Sequence, residues 1–181
     1  KIPNSYTNIL SGTFAYCGKL KYVYLNSKVS YVASDAFINC YLEKFEVDEN
    51  NQYYKSIEGN LCSKDVLTLF QYASKENVDE FIVPYGILNI GDFAFYSCNR
   101  FKSIVLPNGL KTIGKNCFRS STSLRSITIP NTLEEIKEYA FNSCTSLKDI
   151  YYNGSISNKD KIIIRDGNDS LTNATWHYVE Q

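Results

Sequence analysis

The sequence predicts a right-handed solenoid of stacked short parallel strands, joined by turns and short helical segments. Five phenylalanines close the same phrase, at intervals of 23 residues except for one of 58: Phe14, Phe37, Phe95, Phe118 and Phe141. A period of about 20–29 residues is typical of solenoids, because one such unit cannot bury its own apolar face and must stack on neighbours. Four prolines, each 11 residues before one of these rings, support the register: Pro3, Pro84, Pro107 and Pro130.

Each coil is predicted to contain one strand, written as Leu-x-x-Ile-x-Ile and followed by proline, as in residues 124–130. Ile127 and Ile129 alternate with Ser126 and Thr128, as expected of a strand with one buried face. Proline cannot donate a hydrogen bond to a neighbouring strand, so each strand is expected to end at this point. The Ala-Phe pair that follows later is expected on a tight turn, where it places one ring per coil under the next.

The repeat array is predicted to span residues 1–152, with an insert at about 48–80 that breaks the period. Within the insert, residues 59–70 form two strand-like runs around a Ser-Lys-Asp turn, which predicts a β-hairpin. The polar residues 153–181, with one last strand near 176–179, are expected to cap the open core. The chain starts at Lys1 in mid-unit and contains no Met, so we expect it to be a piece of a longer array.

The composition of the chain argues against two classes of partner, namely nucleic acids and the membrane interior. Of the 181 residues, 44% are hydrophobic, and 19 basic residues balance 19 acidic ones, with a pI near 6.8. Domains that bind nucleic acid usually have a pI above about 9, so nucleic acid is not an expected partner. The sequence has no run of about 18 apolar residues, so no membrane insertion is expected from this segment.

The six cysteines allow a disulfide reading, but their positions favour free thiols. Four of them share one repeat position, and the fifth unit has Ser121 there: Cys17, Cys40, Cys98 and Cys144. A small residue with a weak donor is evidently sufficient at this position, so these thiols are predicted to be buried and unbridged. Cys117 is predicted to be a small core residue, and Cys62 on the hairpin is predicted to be the most reactive thiol.

No catalytic, cofactor or metal site is predicted. The sequence lacks paired Cys-x-x-Cys elements, and its only histidine, His177, is interpreted as an end-strand residue, although any triad would have to include it. Residues 166–169 faintly resemble a calcium loop, but they lack its spacing and closing Glu, so a plain turn is favoured. The glycosylation sequons at Asn153, Asn168 and Asn173 are interpreted as surface turns.

The outward-facing strand positions are the candidate binding surface. One column reads Tyr24, Glu46, Ile82, Val105, Thr128 and Tyr151. The neighbouring column reads Tyr22, Lys44, Glu80, Ser103, Ser126 and Asp149. Strands stacked about 4.8 Å apart would make these a continuous ladder on one face. Aromatic and charged residues on an open sheet suit protein contacts, but a merely solvated sheet face has a similar composition.

The repeat motif resembles that of the BspA-like leucine-rich repeat family, whose units read Leu-x-x-Ile-x-(Ile/Leu)-Pro and later Ala-Phe-x-x-Cys. Residues 126–130 (Ser-Ile-Thr-Ile-Pro) and 138–144 (Glu-Tyr-Ala-Phe-Asn-Ser-Cys) match this pattern. The insert is similar to a longer variant repeat of the family, and the tail is similar to the closing module of its bacterial members. The resemblance implies a leucine-rich repeat solenoid from a secreted or surface-exposed protein used in adhesion and protein binding. It implies no catalytic residues and no fixed binding motif.

Three functions are therefore weighed. The first is a non-enzymatic secreted or cell-surface module that binds a host or matrix protein through the outward columns, and possesses no cofactor. The second is a structural spacer that displays another domain of a longer surface protein. The third is an enzyme whose activity would depend on His177.

Overall fold

The structure is a computed structural model that describes residues 2–73 and 77–179. Its strands, in chain order, are β1 (Asn8–Ile9), β2 (Tyr22–Leu25), β3 (Tyr31–Val32), β4 (Lys44–Val47), β5 (Tyr54–Ile57), β6 (Asn60–Ser63), β7 (Thr68–Gln71), β8 (Glu80–Ile82), β9 (Asn89–Ile90), β10 (Ser103–Val105), β11 (Thr112–Ile113), β12 (Ser126–Pro130), β13 (Glu135–Ile136), β14 (Asp149–Asn153), β15 (Ile163–Ile164) and β16 (Thr175–Tyr178). Two four-residue helices, α1 (Ile156–Lys159) and α2 (Asp169–Thr172), lie near the C-terminus.

The predicted solenoid is confirmed. The main strands β8, β10, β12, β14 and β16 form a parallel five-stranded sheet, and β2 pairs with β4 in parallel. A second, shorter strand in each regular coil, such as β11 or β13, belongs to a parallel sheet on another side. This second strand comes from the Leu-x-x-Ile segment before each turn, whose Ile is buried, as at Ile113 and Ile136.

The repeated phenylalanines stack along the axis of the solenoid. The ring centroids of Phe95 and Phe118 lie 4.9 Å apart, and those of Phe118 and Phe141 lie 5.0 Å apart, with the rings nearly parallel. Phe14 stacks on Phe37 at 5.3 Å. The 23-residue period therefore aligns one ring per coil, as the sequence predicts.

Turns around each ring replace most of the expected helical segments. The residues two before and two after Phe118, Asn116 and Ser120, have φ of 53° and 62°. Tyr139 and Ser143 repeat this geometry around Phe141, with φ of 58° and 60°. Alternating right- and left-handed residues make a tight corner rather than a helix, so the expectation of short helices holds only for α1 and α2 among the described residues.

The predicted β-hairpin of residues 59–70 is present as β6 and β7, but the insert as a whole is larger than this hairpin. It contains three antiparallel strands, β5, β6 and β7, and β7 then pairs in parallel with β9, so the insert extends the second sheet to seven strands. Glu58 and Gly59, both with positive φ (52° and 85°), form the tight turn between β5 and β6. The backbone N–H of Phe45 donates to the carbonyl of Gly59 at 2.7 Å, so this turn contacts β4, the outer strand of the β2–β4 pair.

The three antiparallel strands β5, β6 and β7, which we call the meander, divide the hydrophobic core into two clusters. Leu61 and Ala73 belong to an N-terminal cluster with Phe37 and Phe45, whereas Cys62 and Leu69 belong to a C-terminal cluster that runs on to Leu171. Consecutive residues of β6 thus point into different clusters, because successive side chains of a strand lie on opposite faces. The stacked coils predicted from the sequence therefore enclose two hydrophobic clusters, one on each side of the strands β5–β7, rather than a single core.

The C-terminal segment continues the coil. β15 pairs with β13 and β16 pairs with β14, so residues 153–179 add one strand to each sheet. Asn168 is buried, which corrects its interpretation as a surface turn: its Oδ1 accepts from the N–H of Phe141 at 2.9 Å, and its Nδ2 donates to two carbonyls. Asn153 ends β14, while Asn173 is exposed at the end of α2.

One strand end also differs from expectation. Pro130 is the last residue of β12 and is paired with Asn153, so that strand includes its proline rather than ending before it. β8 and β10 end two residues before Pro84 and Pro107. A proline at the end of a strand costs little, because only its missing N–H is excluded from the ladder.

Candidate functional site

The strand face comprises the outward side chains of the main strands, and all twelve predicted residues lie on it. The inward residues between them, such as Ile104, Ile127 and Ile150, are buried. The alternation that the sequence predicts is therefore confirmed, although no observation tests whether these residues bind a partner. The predicted continuous ladder is wrong: β4 does not pair with β8, and the meander separates four of the residues from the other eight.

The four residues on β2 and β4 are engaged with neighbouring side chains. The Tyr22 hydroxyl donates to Glu43 at 2.8 Å, and the Tyr24 hydroxyl donates to Asp48 at 2.8 Å; each hydrogen bond raises the pKa of its tyrosine. Lys44 and Glu46 form an ion pair at 2.8 Å. This part of the strand face is a polar network whose groups largely satisfy one another.

The eight residues on the five-stranded sheet form two straight columns. Ile82, Val105, Thr128 and Tyr151 are in register and form the apolar column. Ile82 is 63% exposed and Tyr151 is 42% exposed, so both ends of this column present large apolar surfaces to solvent.

The second column on this sheet is polar. Glu80, Ser103, Ser126 and Asp149 are in register beside the apolar column, and the Ser103 hydroxyl donates to Glu80 at 3.4 Å. The two carboxylates therefore lie at opposite ends of a column whose middle positions are hydroxyls. This arrangement can accept hydrogen bonds at both ends of the apolar column.

The last strand adds a residue that the sequence analysis left outside the strand face. His177 is in register with Tyr151, and the two rings stack with centroids 4.9 Å apart. Its Nε2 lies 2.8 Å from Asp149 Oδ1. The alternation of Trp176 and His177 on β16 was the available signal, but the 28-residue interval from Asp149 to His177 hides the register in the sequence.

Residues 2–73 and 77–179 contain no group of three or more His, Cys, Asp or Glu side chains placed to hold a metal ion. The same residues include no helix of the length and hydropathy needed to cross a membrane. His177 contacts Asp149 and Tyr151, neither of which is a nucleophile of the triad type.

The cysteines are unbridged, as predicted, but their exposure differs from expectation. Cys62, Cys98, Cys117 and Cys144 are buried, whereas Cys17 is exposed and Cys40 is half-buried. Burial raises the pKa of Cys62 to about 11 and that of Cys144 to about 12. The hypothesis that Cys62 is the most reactive thiol is therefore wrong, because β6 lies between the two core clusters rather than on the surface.

We expect the native protein to show one rapidly reacting thiol with a disulfide reagent such as DTNB at pH 8. With its pKa near 11, only about one Cys62 side chain in a thousand is ionised at that pH, and it is also shielded from the reagent. Cys17→Ser should abolish the fast phase, and the matched variant Cys62→Ser should leave it intact. Loss of the fast phase in Cys62→Ser would contradict this assignment.

Three features define the class of this protein: parallel coils with one short strand in each sheet, a stack of aromatic rings, and the same interval between strand and turn in successive repeats. Together they are those of a leucine-rich repeat protein. The family model for the BspA type leucine rich repeat region matches in six copies over residues 1–61 and 68–175. The chain belongs to this family. The resemblance that the sequence motifs indicate is thereby confirmed.

Solved structures show the same fold. The pneumococcal vaccine antigen PcpA is 24% identical, with a TM-score of 0.66 over 88% of this chain and 45% of that one. A leucine-rich repeat protein from Bacteroides capillosus is 22% identical, with a TM-score of 0.57 over 71% and 99% of the two chains. A leucine rich cell surface protein from Faecalibacterium prausnitzii is 22% identical, with a TM-score of 0.50 over 90% and 61%. At these identities the similarity establishes the fold alone.

No curated protein sequence matches the chain significantly. The chain also spans less than half the length of PcpA and about three-fifths of the Faecalibacterium protein.

Proposed function

We propose that this chain is a non-enzymatic binding module of a secreted or cell-surface protein, and that it binds a protein through the five-stranded part of the strand face. The observation that carries this proposal is the apolar column, which ends in the exposed side chains of Ile82 and Tyr151. The column is held on a rigid sheet and is flanked by the carboxylates of Glu80 and Asp149.

The chemistry of this surface suits a protein partner. Interfaces are enriched in aromatic residues, and the energy of binding is concentrated in a few large anchors that become fully desolvated. Tyr151, backed by the stacked ring of His177, provides a rigid anchor that loses little conformational entropy on binding. A complementary partner would present an apolar side chain to the column and hydrogen-bond donors to Glu80 and Asp149.

The network on β2 and β4 is assigned a smaller role. Tyr22, Tyr24, Lys44 and Glu46 already have partners within the chain, so a ligand would have to replace those contacts. Residues with satisfied polar groups typically form the rim of an interface rather than its energetic centre.

The proposed location and biological role rest on the family and on similar proteins. One similar structure is described as a cell surface protein and another as a vaccine antigen. Within this proposal, binding of a host or matrix protein would serve adhesion.

The experiment begins by capturing proteins from plasma and extracellular-matrix extract on the immobilised chain and purifying the main captured protein. Its Kd is then measured for the native chain and for the double variant Ile82→Ser/Tyr151→Ala. We expect the double variant to bind at least tenfold more weakly, about 1.4 kcal/mol. Its melting temperature should fall by no more than about 5 °C, because Ile82 is mostly exposed and Tyr151→Ala loses mainly the stacking on His177.

The matched control is Tyr31→Ala, which removes a comparably exposed tyrosine from β3, a strand that pairs with β1 in a separate two-stranded sheet. It should leave the Kd unchanged. If the double variant and the native chain bind every captured protein equally well, the strand face is not the binding surface.

A further inference from the structure

A column of charged residues precedes six of the seven main strands, one residue before each of these strands begins, whereas β16 is preceded by Ala174. In order along the solenoid the column reads Lys21, Glu43, Asp79, Lys102, Arg125 and Lys148. Backbone hydrogen bonds join neighbours in this column: the N–H of Arg125 donates to the carbonyl of Lys102 at 2.7 Å, and that of Lys148 to Arg125 at 2.9 Å. The backbones of neighbouring positions in this column are therefore one strand spacing apart, about 4.8 Å, and their side chains leave the solenoid side by side.

The signs of the charges change along this column. Lys21 and Glu43 are neighbours of opposite sign and form an ion pair at 2.9 Å. Asp79 and Lys102 do the same at 2.7 Å, and this contact lowers the pKa of Asp79. The last three positions, Lys102, Arg125 and Lys148, are all cationic and all exposed, and we call them the cationic ladder.

Like charges directly opposite each other on adjacent strands destabilise a sheet, whereas opposite charges stabilise it. The run of three cations therefore lowers the stability of the fold relative to a column of alternating charges. Among residues 2–73 and 77–179, neither Arg125 nor Lys148 forms an ion pair within 4.0 Å. The nearby carboxylate of Asp149 is 2.8 Å from His177 Nε2 instead. Arg125 acts on the Asp79 carboxylate only from beyond ion-pair distance, where it helps Lys102 to lower the pKa of Asp79, so the ladder ends in two cations without a direct ion pair among the described residues.

The space around the ladder is open, and two hollows beside it are each lined by one serine and one aspartate together with cationic side chains. A hollow of about 460 Å³ is bounded by Arg125, Ser146, Lys148 and Asp149. Ser123 borders a second hollow beside Lys102. Among the described residues, Phe101 is the one aromatic side chain that borders either hollow, and it is buried, so these residues provide no stacking platform of the kind that proteins use for single-stranded nucleic acid.

We propose that the cationic ladder binds an acidic polysaccharide whose chain lies along the solenoid axis. The spacing of the three cations is close to the length of one sugar unit in an extended polysaccharide, so sulfate or carboxylate groups on successive sugars meet successive side chains. The guanidinium of Arg125, at the centre, provides paired donors for an oxyanion, and the flanking serines provide hydrogen bonds for sugar hydroxyls. This inference is independent of the proposed protein-binding role of the strand face.

The test measures binding of the native chain to three probes at physiological salt: heparin oligosaccharides, polygalacturonate oligosaccharides and uncharged dextran. The proposal requires binding of heparin, polygalacturonate or both, and no binding of dextran. The first two probes distinguish sulfate from carboxylate as the preferred group. Absence of binding to both acidic probes would overturn the proposal.

Variants locate the site. Arg125→Ala/Lys148→Ala should weaken binding at least tenfold and flatten its salt dependence, while Arg125→Lys, which keeps the charge but loses the paired donors, should bind with an affinity between those of the native chain and the double variant. The matched control Lys28→Ala/Lys115→Ala removes the same net charge from exposed positions outside the ladder and should have little effect. Equal losses in the two double variants, or tighter binding of a single-stranded DNA oligomer than of either acidic probe, would overturn the assignment.

A stability measurement separates a binding role from a structural one. Because removal of the like charges offsets the loss of the long-range attraction between Arg125 and Asp79, Arg125→Ala/Lys148→Ala should melt within about 2 °C of the native chain. The acidic probe that binds should raise the melting temperature of the native chain but not that of the double variant. A clear decrease in the melting temperature of the double variant without probe would instead show that the two cations stabilise the fold.

Discussion

Phe118→Ala should destabilise the C-terminal cluster by about 4 kcal/mol, because it removes a fully buried ring and leaves a cavity that the stacked coils cannot close. Phe118 lies between Phe95 and Phe141 at centroid distances of 4.9 and 5.0 Å, so both neighbouring coils lose contacts. For a chain of this size, we expect the melting temperature to fall by about 8–16 °C, measured by circular dichroism or calorimetry.

The same repeat position provides the control. Phe14 is only half-buried and stacks on Phe37 alone among the repeat rings, so Phe14→Ala should cost less than half as much as Phe118→Ala. Hydrogen exchange should show the loss of protection from Phe118→Ala within the C-terminal cluster, because the meander separates it from the N-terminal one. Equal effects of the two substitutions would contradict the stacked-coil account of stability.

The regular part of the fold was predictable because its physical determinant is periodic. A 23-residue interval places Phe95, Phe118 and Phe141 at the same point of successive coils, and a period-two alternation places Ile127 inward and Thr128 outward. Both signals are local and repeated, so each copy supports the register of the others. For the same reason, the outward position of the twelve candidate residues followed from the sequence.

The meander was not predictable to the same degree because it is aperiodic. Tyr54 occupies the position 23 residues after Tyr31, where a regular coil would continue, yet it begins an antiparallel strand, and its hydroxyl accepts the N–H of Val32 at 2.9 Å. The pattern of residues 59–70 predicted the hairpin and a reactive Cys62, but it did not predict the burial of the hairpin. Leu61 and Cys62 are both buried, on opposite faces of β6. A strand that is buried on both faces has no alternation to reveal it.

The division of the strand face follows from that meander. Outward columns can be read from the repeats, but whether β4 pairs with β8 depends on the path of residues 48–80, which the repeat pattern does not constrain. The sign pattern of the charged column before the strands was likewise available in the sequence. Its significance emerges only when the structure shows Arg125 and Lys148 in register without a direct ion pair among the described residues.

Asn51→Ala should be the most destabilising polar substitution in the N-terminal half, at about 3–4 kcal/mol. Asn51 is buried where the chain leaves the regular coil and enters the meander. Its Nδ2 donates to the carbonyls of Asn26 and Val29, both at 2.9 Å. Its Oδ1 accepts from the N–H groups of Tyr53 and Tyr54, at 2.9 and 2.8 Å. Alanine removes all four hydrogen bonds at once, and each buried group left unpaired costs about 1–3 kcal/mol, less whatever entering water recovers.

The exposed neighbour Asn50 is the matched control, and Asn50→Ala should change stability by less than about 0.5 kcal/mol. Asn51→Asp keeps the shape and the acceptor but turns the second atom from a donor into an acceptor facing two carbonyls, so it should be as destabilising as alanine. Urea titrations would measure all three variants, and hydrogen exchange at Tyr54 and Val32 would report whether the junction opens. A melting temperature of Asn51→Ala within 2 °C of the native value would show that the meander is anchored elsewhere, since a loss of about 3 kcal/mol requires a larger shift.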